Sequence, residues 1–264
     1  MSTVADVVAY LEEFAPPELA EDWDNVGLLL GHSRAPVSKI LTCLTLTPDV
    51  AAEAVESAVQ LVVSHHPVLF RGTKQVTDRT SEGRMLLSLI ENGVAVFSPH
   101  TSFDSAAGGI NQQLAESFGL TGIQPIRPDA VVEGLGSGRV GAVSEGVKLC
   151  EFLAVVRSAV AGDYLEYSGV LDSAVSKVAV ACGAAGDFLE DAVTMGCDTF
   201  VTGEARFHAA LEARTVGVNL ILLGHYSSER PAVERLAGVL GAEFGGIDVR
   251  PSRVECDPLS VFVS

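Results

Sequence analysis

KILTCLTLTPDVAAEAVESAVQLVVSHHP, residues 39–67, decides the fold class. Lys39–Leu46 reads as a strand, Pro48–Ala58 as a helix and Leu61–Ser64 as a second strand that ends in His65-His66-Pro67. A strand, a helix and a strand in succession make a βαβ unit, and such units pair their strands in parallel. The same rhythm extends on both sides. Upstream, Val4, Val7, Val8, Leu11 and Phe14 recur at helical spacing after a Ser2/Thr3 cap, and Pro16-Pro17 end that helix. Glu21–Gly31 reads as a turn feeding a short apolar segment. Downstream, Ser81–Asn92 reads as helix, Val94–Phe97 as strand and Gly108–Phe118 as helix.

The texture changes between Gly122 and Lys177. Gly134, Gly136, Gly138 and Gly141 punctuate short apolar pieces, which predicts hairpins. The alternation then returns: strands at Val178–Ala181, Thr199–Thr202 and Leu220–Leu223, helices at Asp187–Met195, Ala205–Arg214 and Glu229–Leu240. We expect an α/β protein with largely parallel pairing and a boundary near Gly122. That gives a first α/β domain over 1–122 and a second over 123–264, whose C-terminal segment is free to pack back on the first. The two halves share a rhythm, as a structural duplication would, although no sequence repeat accompanies it.

Composition narrows the function classes. Of the 264 residues, 48% are hydrophobic and 19% charged, enough for a substantial core. The 17 basic residues face 34 acidic ones, a net charge of −17 with no basic cluster. Nucleic acid and anionic membranes are bound through Lys and Arg, so neither is expected as a partner. The five cysteines are odd in number, scattered and without a CxxC pair, as in reduced cytosolic proteins. Met1–Asp22 lacks a basic start and a long apolar block, and no apolar run reaches membrane-spanning length. The expectation is a cytoplasmic protein.

Four of the six histidines close apolar runs. His65 and His66 follow Leu61–Ser64, His100 and Asp104 follow Val94–Phe97, and His225 and Glu229 follow Leu220–Leu223. Strand ends on one edge of an α/β sheet converge. Singly, each group has an ordinary reading: a polar strand terminus for His65 and His66, a turn or cap residue for Asp104, a dipole-favourable acid in a first helical turn for Glu229. Together they are five candidate metal ligands, His65, His66, Asp104, His225 and Glu229. Five ligands with two carboxylates suit a pair of ions better than one. Imidazole and carboxylate without thiolate fit Fe, Zn or Mn and do not choose among them.

WDNVGLLLG, SHHPVLF, SPHTSFDSAAGGIN, GLGSGRVG, TGEARFHAALEA and LLGHYSSE, in this order from Trp23 to Glu229, resemble the successive signatures of the Nif-three-like dinuclear metal-centre family, the GTP cyclohydrolase I type 2 homologs. The resemblance implies two interlocked α/β domains with mixed sheets, and two divalent ions per subunit held by His65, His66, Asp104, His225 and Glu229. It also implies a toroidal homohexamer. Relatives often carry Asp where this chain has Thr45.

Further residues surround these ligands. Glu204 and His208 lie four apart after Thr202-Gly203; on one helix face they would move a proton or hold substrate. A helix-start acid and a surface histidine are the ordinary alternatives. His100 has the position of a group that fixes a neighbouring carboxylate. Asp24-Asn25-Val26-Gly27 reads as a turn, and the likeness places that loop at the cavity without assigning it chemistry. Gly136–Gly141 matches GxGxxG without the strand-then-helix context of a dinucleotide site. Gly183–Asp187 reads as a tight turn between strand and helix.

The functional expectation is a metal-dependent hydrolase in which water, activated by metal, attacks a small-molecule substrate, GTP by resemblance. The alternative is a non-catalytic metal-handling protein or an oligomeric scaffold or regulator.

Overall fold

A reciprocal cap starts the chain: Thr3 Oγ1 accepts the Asp6 N–H while the Asp6 carboxylate accepts the Thr3 N–H, and α1 (Val4–Phe14) follows. The computed structural model describes residues 2–160, 162 and 164–262. They divide into two units, Met1–Phe103 with Ala232–Cys256, and Asp104–Pro231 with Asp257–Ser264.

After α1 the first unit holds β1 (Gly27–Leu30), β2 (Lys39–Cys43), α2 (Pro48–Glu56), β3 (Leu61–Ser64), α3 (Ser81–Glu91), β4 (Ala95–Ser98) and the start of α4 (His100–Ser105). The last strand of the chain, β13 (Asp248–Pro251), completes its sheet in the order β1-β4-β3-β2-β13. All neighbours are parallel except β1, which runs antiparallel to β4. Every residue of β3 and β4 is buried. That is why these strands are unbroken apolar runs: a parallel sheet covered on both faces has no polar side. Leu41, Val62 and Val96 pack against Val50 and Ala54 of α2 and Leu89 of α3. Cys43 is level with Ser64, and Val63 with Phe97. The chain therefore leaves β2, β3 and β4 at one edge, and Thr45, His65, His66 and His100 follow directly.

The second unit contains α5 (Ile110–Ser117), β5 (Thr121–Gln124), β6 (Arg127–Pro128), β7 (Gly136–Ser137), β8 (Arg139–Ala142), α6 (Leu149–Ala159), β9 (Glu166–Ser168), β10 (Lys177–Ala181), α7 (Leu189–Thr194), β11 (Thr199–Thr202), α8 (Phe207–Val216), β12 (Asn219–Leu222) and the start of α9 (His225–Glu243). Its six-stranded sheet runs β5-β8-β10-β11-β12-β9, with β10, β11 and β12 parallel and the outer pairings antiparallel. Ala181, Thr202 and Leu222 are in register, so Cys182-Gly183, Gly203-Glu204 and Leu223–His225 emerge at one edge. Both of these sheets are mixed, with four parallel strands in the first and three in the second.

Four local expectations change. His100–Ser105 is a helix where Asp104 had read as a turn or cap residue, so His100 and Asp104 lie one turn apart on it. α9 begins at His225, ahead of the expected Glu229, and the Ser228 N–H bonded to the Gly224 carbonyl at 3.1 Å is already part of it. α8 begins at Phe207, so Glu204 precedes it and does not share a helix face with His208. Leu149–Ala159 is a helix inside the stretch expected to form hairpins, started by Glu151 accepting the Lys148 N–H. The GxGxxG stretch lies in β7 and β8, as its context predicted.

One glycine in the first unit is required by its surroundings. Gly31, after β1, has φ +98°, and a Cβ there would meet the Ala95 Cα at 2.6 Å. The backbone conformation alone costs another residue about 1–3 kcal/mol. Gly31→Ala is expected to destabilise the protein by about 2 kcal/mol or more, read as a lower urea midpoint with an unchanged slope.

Candidate metal centre

In the first unit His65, His66 and His100 each offer a ring nitrogen, and the three nitrogens lie within 4.8 Å of one another. Ring centroids are 5.1 Å apart for His65 and His66, and 5.2 Å for His65 and His100. His65 is 2% exposed. Pro67 stops the strand ladder after the pair, and the two rings are tilted 51° to each other. The bend allows consecutive histidines to share one corner, which a continuing strand would forbid.

Two of these rings are hydrogen-bonded at Nδ1. His100 Nδ1 is 2.7 Å from Asp24 Oδ1, and His66 Nδ1 is 2.7 Å from Thr45 Oγ1. Asp24 Oδ2 also accepts from Thr101 N at 3.1 Å and Thr101 Oγ1 at 2.5 Å. Burial alone would raise the Asp24 pKa, but the bonds from His100 and Thr101 overcome it and hold Asp24 at about 2. Such a carboxylate–imidazole pair fixes ring orientation and directs the remaining lone pair outward. The Thr45 backbone N–H, with that of Leu44, is bound by the Glu255 carboxylate at 2.6 and 2.9 Å. His100 has φ +28°, a strained value for a non-glycine residue, and the Asp24 bonds help to keep it there.

The second unit carries the acids. The Cys182 thiol donates to Asp104 Oδ1 at 3.2 Å. Asn111 joins the same two residues through the backbone: its Nδ2 donates to the Asp104 carbonyl at 3.1 Å and its Oδ1 accepts the Cys182 N–H at 2.8 Å. The end of α4 is fixed by Arg139, 2% exposed, whose guanidinium donates to the carbonyls of Ser105, Ala106, Gly136 and Gly138 and to Gln112 Oε1. Burial pushes the Cys182 thiol well above its ordinary range, and the charges of Asp104 and Glu229 add to that. The thiol therefore stays protonated and serves Asp104 as a donor.

His225 sits between two carboxylates. Its Nε2 is 3.1 Å from Glu229 Oε2, one helical turn on, and its Nδ1 is 3.6 Å from Glu204 Oε2. The Glu229 hydrogen bond raises the His225 pKa to about 9 against the opposing effect of burial, with further support from the charges of Glu229 and Glu204. Glu229 is 3% exposed and needs Gly183: that residue has φ +63°, and a Cβ on it would meet Glu229 Oε1 at 2.5 Å. The glycine of the tight turn thus makes room for an acid. Glu204 and His208 line one cleft of about 610 Å³ together with Asp187, Arg206 and Glu212.

The structure therefore gathers His65, His66 and His100 in one unit, and Asp104, His225, Glu229 and Glu204 in the other. The His65, His66 and His100 group could hold a metal ion. His100 differs from its expected role: the carboxylate it meets, Asp24, is the group that orients it. Asp24, Cys182 and Asn111 went unassigned in the sequence. The only signal for Asp24 was its place after Trp23 in WDN, and Cys182 had none beyond ending a buried run.

A family model described as Duf34/NIF3 (NGG1p interacting factor 3) matches residues 2–258. The chain belongs to the Duf34/NIF3 family. A Clostridium perfringens protein named GTP cyclohydrolase 1 type 2 homolog is 33% identical over 232 residues, covering 88% of each chain. A Schizosaccharomyces pombe protein named NIF3 homolog is 32% identical over 266 residues, covering 95% of each. The crystal structure of Staphylococcus aureus protein SA1388 superposes with a TM-score of 0.89 at 28% identity, over 99% of each chain. The mixed α/β architecture is thus that of NIF3 proteins, and no helix among the described residues is long and apolar enough to cross a membrane.

The His225 pair makes a pH-dependent prediction. Its folded pKa of about 9 exceeds the ordinary 6.5. The stability it contributes to the metal-free protein is complete below pH 6.5 and is lost as pH rises through about 9. Urea midpoints taken across that window should fall more for the native protein than for His225→Gln.

Proposed function

We propose that this NIF3 protein is a metal-dependent hydrolase that holds two divalent ions through His65, His66, Asp104, His225 and Glu229. The observation that carries this reading is the trio of clustered imidazoles, two of them backed at Nδ1, by Asp24 and by Thr45. Neutral imidazole with its second nitrogen fixed is the usual form of a metal ligand, and the donor set suits Fe, Zn or Mn. His100 adds a sixth ligand, the fourth imidazole, to this reading, because its ring joins the same trio.

A bound divalent ion supplies Lewis acidity toward an electrophilic substrate and lowers the pKa of water. The protein's residues do the rest. His225 would give up its proton to hold a cation, while Glu229 stays buried on the same helical turn as its partner. Cys182 and Asn111 keep Asp104 in one orientation. Glu204, with its side chain half exposed and facing both His225 and the cleft, is placed to take a proton from water and return it to a leaving group. His208 on the cleft wall would hold substrate. The toroidal homohexamer belongs to the same proposal.

The test measures metal content and GTP turnover together. Protein purified without added metal should contain close to two ions per chain, and His65→Ala or Glu229→Ala should lose most of them along with turnover. Glu204→Gln should keep its metal and lose about 10²–10⁴-fold in rate, the usual contribution of a proton-transferring side chain. Metal that leaves readily to a weak chelator, with GTP left intact, would instead identify a metal-handling protein.

A further inference from the structure

β2 ends at Cys43, and Leu44 and Thr45 form a bend on the way to α2. On an extended strand successive N–H groups point to opposite sides. In this bend they converge on one side chain. The Leu44 N–H donates to Glu255 Oε2 at 2.9 Å, and the Thr45 N–H donates to Glu255 Oε1 at 2.6 Å. Adjacent backbone donors around one anion make a nest, and a carboxylate that gives one oxygen to each is fixed in orientation.

The same two residues hold His66. The Leu44 carbonyl accepts the His66 N–H at 2.8 Å, and the Thr45 hydroxyl meets His66 Nδ1 at 2.7 Å. The backbone and the ring of one histidine are thus both fixed by residues whose own N–H groups end on one carboxylate. Thr45 is exposed, so water competes for its hydroxyl. Its bond to the ring therefore depends on how firmly the Thr45 backbone is kept.

Glu255 is placed in turn by the strand that precedes it. β13 pairs with β2 in parallel as far as Pro251, opposite Thr42. The Ser252 N–H then donates to the Thr42 carbonyl at 2.8 Å. The Ser252 hydroxyl donates to Glu53 Oε2 of α2 at 2.6 Å and accepts the Glu255 N–H at 3.2 Å. The segment that carries Glu255 is stitched to both elements that flank the bend.

We propose that Glu255 is a positioning residue for His66, acting through the Leu44–Thr45 bend. The competing role, fastening the segment that follows β13, runs against the geometry. The β13 ladder and the Ser252 bonds to Thr42 and Glu53 fasten that segment before it reaches Glu255. Fastening also does not call for both carboxylate oxygens at the two residues that touch His66. The inference deepens the metal reading by adding a residue that sets one of its ligands. Its metal-binding test rests on that reading, and its test on the histidine ring does not.

The test is a double-variant cycle on the full-length protein. Ring nitrogen signals of His66 are recorded by NMR at one pH, without metal, for the native protein, Glu255→Ala, Thr45→Val and the two combined. Glu255→Ala should shift the His66 signals in the direction of Thr45→Val, and the double variant should add little to Thr45→Val alone. Glu53→Gln weakens the fastening without touching the bend and should leave the signals in place. Affinity for Zn²⁺ is then measured by competition with a chromophoric chelator. Glu255→Ala and Thr45→Val should each weaken it by about tenfold, the usual cost of losing a group that orients a ligand. Together they should weaken it by much less than the product, because they act on one path. Glu255→Gln keeps an acceptor oxygen and should fall between the native protein and Glu255→Ala, which guards against a variant that merely unfolds. Unmoved His66 signals in Glu255→Ala overturn the proposal, as does an equal shift in Glu53→Gln. Signals that respond as expected in a protein that binds no Zn²⁺ would retain the positioning role and remove the metal reading; tight Zn²⁺ binding indifferent to Glu255 would do the reverse.

Discussion

An imidazole can give a lone pair from one nitrogen only while its proton is held at the other. Much of the site's architecture serves that requirement. His100 leans on the Asp24 carboxylate, and His66 leans on the Thr45 hydroxyl. The supporting groups are themselves held: Asp24 by Thr101, and the Thr45 backbone by Glu255 from the end of the first unit. Thr45, Thr101 and Glu255 follow β2, β4 and β13, and Asp24 precedes β1, which starts at the edge where β4 ends. A parallel sheet in register delivers that edge without any special motif.

The two backed rings are not equivalent. Asp24 is a charged partner and strengthens His100 as a donor, whereas Thr45 is a neutral one and orients His66 without adding charge. The acids of the second unit are tuned by other means. Cys182 remains a thiol because burial and two nearby carboxylates oppose its ionisation, so it donates to Asp104. His225 is favoured as a cation by Glu229 and Glu204. Buried charge of this kind is costly unless partnered. The partners found here account for the burial of Glu229 and for the glycine at position 183.

The α/β rhythm was legible because covered parallel strands leave a plain signature, an apolar run closed by a polar turn. Leu61–Ser64 and Thr199–Thr202 were bounded correctly from that signature alone. The histidines and acids at the strand ends were legible for the same reason. The helix starts were not. His100–Ser105 is a short polar helix with little apolar periodicity, and α9 begins at His225, ahead of the expected Glu229. The supporting residues were hidden because their partners are remote: Asp24 acts on His100 76 positions away, and Cys182 on Asp104 78 positions away. Nothing in a local window distinguishes Asp24 from any other acid in a turn, or Cys182 from any buried thiol.

Anomalous diffraction from crystals of the protein grown with Mn²⁺ or Zn²⁺, recorded at the absorption edge of the ion, tests the central claim most directly. The account predicts two strong peaks per chain, coordinated by His65, His66, Asp104, His225 and Glu229, with Asp24 and Thr45 still bound to the outer nitrogens of His100 and His66. Maps without a peak at these side chains, in crystals where the ion is plainly present elsewhere, would contradict it.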